Sequence, residues 1–278
     1  MSPSRPVITL TTDFGSTDPY VGVMKGVVLG INPEASLVDI THQIEPQNIL
    51  QGAFLLGKGY HFFPPHTIHL VVVDPGVGSS RRPIILETPG GRFVGPDNGV
   101  LSYVLTDGGA QPLMGKADQV GLPREWRAYH LTNPGYWLHP LSSTFHGRDL
   151  FAPVAGHLSL GVSPQEMGEE VDSLTCLPVD APTWEDDRLR GRVVHVDRFG
   201  NLITDLPSSL LDEASQLKVD VGGSRIRGLS ASYAQGEGLL ANIGSYDTLE
   251  VALKNGSAAA ELGAHIGDAV LVTSLADG

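Results

Sequence analysis

Apolar residues follow two rhythms along this chain, and the change falls near residue 180. In the first part, short unbroken apolar runs alternate with stretches that repeat every three to four positions. The runs at 7–12, 37–40 and 68–73 read as strands, the last buried on both faces as in a parallel sheet. Segments 20–31 and 48–58 read as helices, the first stopped by Asn32-Pro33, the second with Ile49, Ala53, Leu55 and Leu56 on its apolar side. A strand pair is expected at 83–87 and 92–94, a helix opening at 100–105, and a further helix at 151–160. Pro112, Pro123, Pro134 and Pro140 mark 108–141 as loop-rich. Beyond it, short strands separated by turns are expected at 191–196, 202–206, 217–221, 224–229, 249–251 and 269–273. The pattern predicts an α/β fold: an N-terminal α/β domain with a mostly parallel central sheet over 1–175, a linker at 176–187, and a smaller all-β barrel or sandwich over 188–278.

The run 68–73 delivers Asp74 onto the turn Pro75-Gly76-Val77-Gly78, and Arg81 and Arg82 follow at once. Open α/β sheets bind ligands at the carboxyl ends of their strands. Glycines there let the backbone approach a ligand, and a neighbouring guanidinium keeps a carboxylate ionised. The same residues also fit a plain strand-ending turn with an exposed salt bridge. Asp13 ends the first strand in the same manner, ahead of Gly15, Ser16 and Asp18, the last also placed to cap a helix. His146, Arg148 and Asp149 stand between a loop and a helix. Histidine exchanges protons near neutral pH, while Asp149 equally suits a helix dipole. Asp197-Arg198-Phe199-Gly200-Asn201 interrupts two strands and fits an ordinary hairpin as well as a site. Asp13-Phe14-Gly15 lacks the companion motifs of a kinase, and the Gly76 loop lacks the Gly-Lys-Ser/Thr ending of a P-loop.

Charge narrows the partners. Eighteen Lys and Arg against 31 Asp and Glu leave a net charge of −13, which argues against a nucleic-acid surface. The single cysteine, Cys176, excludes an internal disulfide framework and a cysteine-based zinc site. No apolar run approaches a membrane span, and the opening residues carry no signal-peptide core. A cytoplasmic protein without membrane or nucleic-acid partners is expected.

Taken in order, Thr11-Thr12-Asp13-Phe14-Gly15, Val73-Asp74-Pro75-Gly76-Val77-Gly78 through Arg81, Thr144-Phe145-His146-Gly147-Arg148-Asp149, Asp197-Arg198-Phe199-Gly200-Asn201, and the segment from Leu249-Glu250-Val251-Ala252 to Gly256-Ser257-Ala258-Ala259 resemble the S-adenosyl-L-methionine hydroxide adenosyltransferase family, which is related to the fluorinases and chlorinases. The resemblance implies a C-terminal β-barrel, a homotrimer with sites at subunit interfaces, no metal, and no cofactor beyond S-adenosyl-L-methionine as substrate. It implies attack by water or hydroxide at ribose C5′, giving adenosine and L-methionine. The family's Asp-Arg-His set falls on Asp74, Arg81 and His146, with Arg82 as an alternative partner. Halogenating relatives carry tyrosines at the positions of Asp74 and His146, which favours hydrolysis here.

Asp13 matches the carboxylate that holds the ribose hydroxyls. Asp18, Asp197 and Asn201 match contacts to the methionine end, and Phe145 and Phe199 match packing against adenosine. The 255–258 loop, with Asn255 and Ala258, matches the adenine edge, and Gly147, Ser245 and Glu250 complete the implied contacts. Gln47 departs from the family, since fluorinases place a tryptophan there. A neighbouring arginine makes a carboxylate a weaker base, so the sequence leaves the proton acceptor open between Asp74 and His146. A halogenase, a metal-dependent hydrolase using Asp13, Asp74 and His146 as ligands, and a non-catalytic nucleoside-binding protein are the competing readings.

Overall fold

The computed structural model describes residues 5–110, 116–179, 182–211, 216–235 and 238–275. The chain divides into two units, Met1–Val179 and Asp180–Gly278. Residues 180–181 of the expected linker and Pro112 lie outside the described residues.

The first unit is built on a seven-stranded sheet. Its strands are β1 (Val7–Thr12), β2 (Ser36–Thr41), β3 (Ile68–Val72), β4 (Pro83–Thr88), β5 (Gly91–Pro96), β7 (Arg127–Leu131) and β8 (Gly168–Val171), in the order β2-β1-β3-β5-β4-β7-β8. Strands β6 (Asp118–Gly121) and β9 (Ser173–Cys176) pair apart from it. The α/β expectation holds with a mixed sheet: β2-β1, β1-β3 and β3-β5 are parallel, and β5-β4, β4-β7 and β7-β8 are antiparallel. Every residue of β3 is buried because both faces are covered. Ile68, Leu70 and Val72 pack with Met24 and Val28 of α1 (Tyr20–Ile31) and Val154 of α4 (Ala152–Ser159). Val71, on the other face, packs with Leu56 of α2 (Ile49–Gly59) and Val104 of α3 (Ser102–Asp107).

Helix α1 runs from Tyr20 to Ile31 as expected, with no side-chain cap, so Asp18 does not cap it. Helix α2 is capped by Asn48, whose side chain accepts from Gln51 N at 3.0 Å. The stretch expected to be loop instead supplies β7 to the main sheet. Pro123 and Pro134 bracket that strand rather than interrupt it, and Ala128, Tyr129 and Leu131 bury its apolar positions. A short helix, α5 (Pro164–Met167), leads into β8.

The second unit is antiparallel throughout. Strands β10 (Thr183–Glu185), β11 (Arg188–Val196), β12 (Leu202–Pro207), β13 (Gln216–Val221), β14 (Ser224–Arg227), β15 (Leu239–Ile243), β16 (Thr248–Leu253) and β17 (Ala269–Leu275) run in the order β14-β13-β17-β11-β12-β16-β15, with β10 on β11. The end strands β14 and β15 meet, curling the sheet into a nearly closed barrel. Its core includes Leu189, Val193, Val219, Val251 and Val270, with Ala258 from α6 (Ala258–Leu262). Among the described residues, no helix is long and apolar enough to cross a membrane.

His69 sits fully buried in β3, with Nδ1 2.8 Å from Thr9 Oγ1 and its ring stacked on Phe93 at 4.8 Å. Burial, with the nearby His61 adding to it, pushes its pKa down to about 4 from 6.5. A histidine held neutral in the fold but free to charge in the unfolded chain contributes stability that is complete above pH 6.5. That contribution is lost as the pH falls through 6.5 towards about 4. Thermal melts of wild type and His69→Leu should therefore converge in this window, with roughly 3 kcal/mol of wild-type acid sensitivity missing from the variant. Equal pH slopes in the two proteins would remove His69 as their source.

Candidate active site

The parallel half of the sheet gathers the acidic residues. Strands β1 and β3 are in register, with Thr12 opposite Val72, so the chains leaving them carry Asp13 and Asp74 from the same edge. A cavity of about 290 Å³ opens there, lined by Asp13, Gln47, Asp74, Phe145, His146 and Gly147 among others.

The loop after β3 folds on itself through Val77 N to Asp74 O at 3.2 Å and Ser79 N to Gly76 O at 3.0 Å. Gly78 has φ +76°, and a Cβ there would stand 2.5 Å from Ser143 O, so the loop carrying Asp74 touches the loop carrying His146 main chain to main chain. Arg81 returns to Asp74: Nε donates to both carboxylate oxygens at 3.0 Å, and Nη2 to Oδ2 at 2.5 Å. Only 4% of the Asp74 side chain and 8% of the Arg81 side chain are exposed, so the pair is not a surface salt bridge. Arg82 is not an alternative partner. It binds Asp97 Oδ2 at 2.5 and 2.9 Å and the Ser173 carbonyl at 2.8 Å.

Arg81 Nη2 also lies 2.7 Å from His146 Nδ1. A guanidinium only donates, so Nδ1 must be the lone-pair nitrogen and the imidazole proton sits on Nε2. Burial first, then the Arg81 charge, lowers the His146 pKa against the opposing pull of Asp74 and Asp149, which favours this neutral form. Arg81 further lies 5.2 Å over the Phe151 ring. His146 enters a π-helical turn, Gly147–Phe151, that precedes α4. Such wide turns recur at functional sites. In it, Asp149 accepts from Ser142 N at 2.8 Å and from Arg148 at 2.5 and 2.9 Å. Burial alone would raise the Asp149 pKa, but these donors hold it below the ordinary carboxylate value.

Asp13 accepts from Gln47 N at 2.8 Å, and Gln47 holds φ +68° in doing so. Gln47, the position that departs from the fluorinases, thus lines the cavity and orients Asp13 through its main chain. Phe14, Tyr20 and Phe145 form an aromatic wall with ring centroids 5.1 to 5.8 Å apart. Asp18 is exposed and stands outside the lining. Among the described residues, no group of three His, Cys, Asp or Glu side chains is arranged to hold a metal ion. A cation shared by Asp74 and His146 would have to displace the Arg81 guanidinium that already bonds both.

The second unit holds its own cavity, of about 830 Å³, lined by Asp197, Phe199, Asn201, Ser245, Glu250 and Asn255, and by Tyr233, Tyr246 and Lys254. Asp197 braces its own turn: Oδ1 accepts from Phe199 N at 2.8 Å and Asn201 N at 2.9 Å, and Oδ2 from Asn201 Nδ2 at 2.9 Å. Phe199, in this lining, is left 76% exposed. Glu250 is buried, accepts from the Tyr233 hydroxyl, and has its pKa raised by burial first and Asp197 second. The Ala258 side chain packs in the barrel core, outside this lining, which leaves its main chain as the part of the residue that can face a ligand. Tyr233 escaped the sequence reading because the loop before β15 carries no periodic pattern and no motif. Its one signal was an aromatic residue in a polar stretch.

Models of the SAM hydroxide adenosyltransferase N-terminal and C-terminal domains match residues 8–168 and 191–271. A protein of Salinispora tropica named (R)-S-adenosyl-L-methionine hydrolase is 36% identical over 277 residues, covering 99% of this chain and 100% of its own length. Its namesake in Thermus thermophilus is 38% identical, covering 93% and 96%. A crystal structure of an uncharacterized conserved protein from Thermotoga maritima superposes with a TM-score of 0.85 at 34% identity, over 96% of this chain and 99% of that one. A fluorinase of Actinopolyspora mzabensis is 25% identical over 76% of this chain and 75% of its own. With both domain models matched in order and relatives aligned almost end to end, the chain belongs to the SAM hydroxide adenosyltransferase family.

Proposed function

We propose that this chain hydrolyses S-adenosyl-L-methionine to adenosine and L-methionine by attack of water or hydroxide at ribose C5′. The observation that carries the reading is Arg81 bonded at once to Asp74 and His146 on the wall of a cavity that also presents Asp13. The reaction forms a C5′–O bond and breaks C5′–S, and the sulfonium leaves as a neutral thioether. No acid is needed at sulfur, and one proton must leave the water. Collinear placement of oxygen, carbon and sulfur supplies much of the rate.

The tautomer supports one division of roles. With Nδ1 engaged by Arg81, His146 has a hydrogen-bond donor at Nε2 and no basic nitrogen to offer. Asp74, acceptor only, takes the hydrogen bond from the water O–H and receives that proton as the C5′–O bond forms. His146 Nε2–H donates to the oxygen as it gains hydroxide character, an arrangement preorganised for developing negative charge. Arg81 orients both.

Asp13 holds the ribose hydroxyls, and Phe145 and Gly147 bound the adenosyl group on the same wall. Asp197, Phe199, Asn201, Ser245, Glu250 and Asn255 bind the rest of the substrate, with Asp197 and Asn201 at the methionine end. In this reading the two cavities are halves of one site, completed between subunits of a homotrimer. No metal or cofactor beyond the substrate takes part, and the protein is cytoplasmic.

The halogenase reading is disfavoured by Asp74 and His146, since a desolvated halide is repelled by a carboxylate. Chromatography of reactions with each sulfonium epimer, with and without chloride, fluoride and a chelator, tests all readings. Adenosine is expected throughout, fastest with the (R) epimer that gives the relatives their name. Halogenated adenosine, or silence after chelation, would overturn the proposal. Asp74→Ala and His146→Ala should each lower kcat about a hundredfold or more with substrate affinity largely kept, whereas Asp13→Ala should chiefly raise KM. Arg81→Lys, which loses the planar fork, should cost kcat on the same order. Arg82→Lys should lower Tm and leave kcat within about twofold.

A further inference from the structure

Strands β1 and β2 stay in step through Leu10 and Asp39 and then slip, so that Thr11 pairs with Thr41. The extra residue in β2 advances the chain and brings His42 against the turn that carries Asp13. His42 Nδ1 lies 2.8 Å from Thr12 Oγ1, and that oxygen also accepts from Phe14 N at 3.3 Å. The His42 carbonyl accepts from Gly15 N at 2.7 Å. One residue therefore holds both ends of the turn, with Asp13 between them.

The far side of the ring is anchored as well. His42 Nε2 stands 3.0 Å from Asp39 Oδ1, an ion-pairing distance rather than an aligned hydrogen bond, and Lys25 Nζ donates to Asp39 Oδ2 at 2.6 Å. Burial would raise the Asp39 pKa, but Lys25 and His42 hold it low, so the group is a carboxylate that only accepts. Thr12 Oγ1 and His42 Nδ1 can share a hydrogen bond in either direction, since the hydroxyl both donates and accepts. The Thr12 hydroxyl thus links Phe14 N–H to the His42 ring.

We propose that His42 is a positioning residue for Asp13, its ring and carbonyl clamping the Thr12–Gly15 turn so that the carboxylate meets the two ribose hydroxyls at a fixed angle. The proposal rests on the reading of Asp13 as the ribose contact. Calorimetry of the full-length protein with adenosine and with 2′,3′-dideoxyadenosine tests it. His42→Ala should weaken adenosine binding about three- to tenfold, as for one well-placed hydrogen bond, and raise KM rather than lower kcat. Thr12→Val removes the same link at nearly constant shape and should match it, which covers the case of a poorly folded His42→Ala protein. Neither change should affect the dideoxy nucleoside, and neither should add to the loss in Asp13→Ala. Additive losses, or equal losses for both nucleosides, overturn the positioning role while leaving the ribose contact intact. An Asp13→Ala protein that binds adenosine normally overturns the ribose reading and this inference together.

Discussion

A guanidinium can give hydrogen bonds but never take them, and the polar network behind the first cavity follows from where Arg81 gives its own. It binds a carboxylate on one side and an imidazole nitrogen on the other. That single constraint decides the tautomer of His146 and leaves Asp74 as the acceptor of the pair. A cation held this way needs little further help from solvent, since Phe151 lies beneath it and the Asp74 charge balances it. Burying either partner alone would be costly. Buried together, with several aligned donors, they form a fixed electrostatic frame around the cavity wall.

The frame depends on the sheet. A strand covered on both faces has no freedom to shift, so the residue that follows β3 emerges at a set height beside the residue that follows β1. The separate β6–β9 pair and the end of β5 do a different job. Arg82, one residue beyond Arg81, ties the loop to Asp97, Gln119 and Ser173. Adjacent arginines thus face opposite tasks, one towards the cavity and one towards the scaffold.

Strands β1 to β5, β11 to β14, β16 and β17, the two long helices and the carboxylates at strand ends were legible because they rest on local pattern: unbroken apolar runs, a 3.6-residue rhythm, and Asp before a glycine turn. β7 was not, because a five-residue strand between prolines looks like loop until its partners in β4 and β8 are known. The same limit applied to the site. Asp74, Arg81, His146, Asp13 and Asp197 announce themselves by motif. The main-chain support of Asp13 by Gln47, the hydrogen bond from the exposed Tyr233 to the buried Glu250 and the packing of Ala258 into the barrel core depend on contacts between distant residues. Chemistry was readable from residue type, while orientation required the fold.

The approach of Gly78 to the Ser143 carbonyl has a consequence for how such a pocket changes over generations. The separation between the loop bearing Asp74 and the loop bearing His146 is set by backbone atoms, so side-chain replacement on either loop leaves the gap between them unaltered. Residues at the two positions can be exchanged for others of different chemistry without re-spacing the walls. A wall spaced by glycine and a peptide carbonyl tolerates new side chains beside it, but not at Gly78 itself, where any Cβ would meet the Ser143 oxygen.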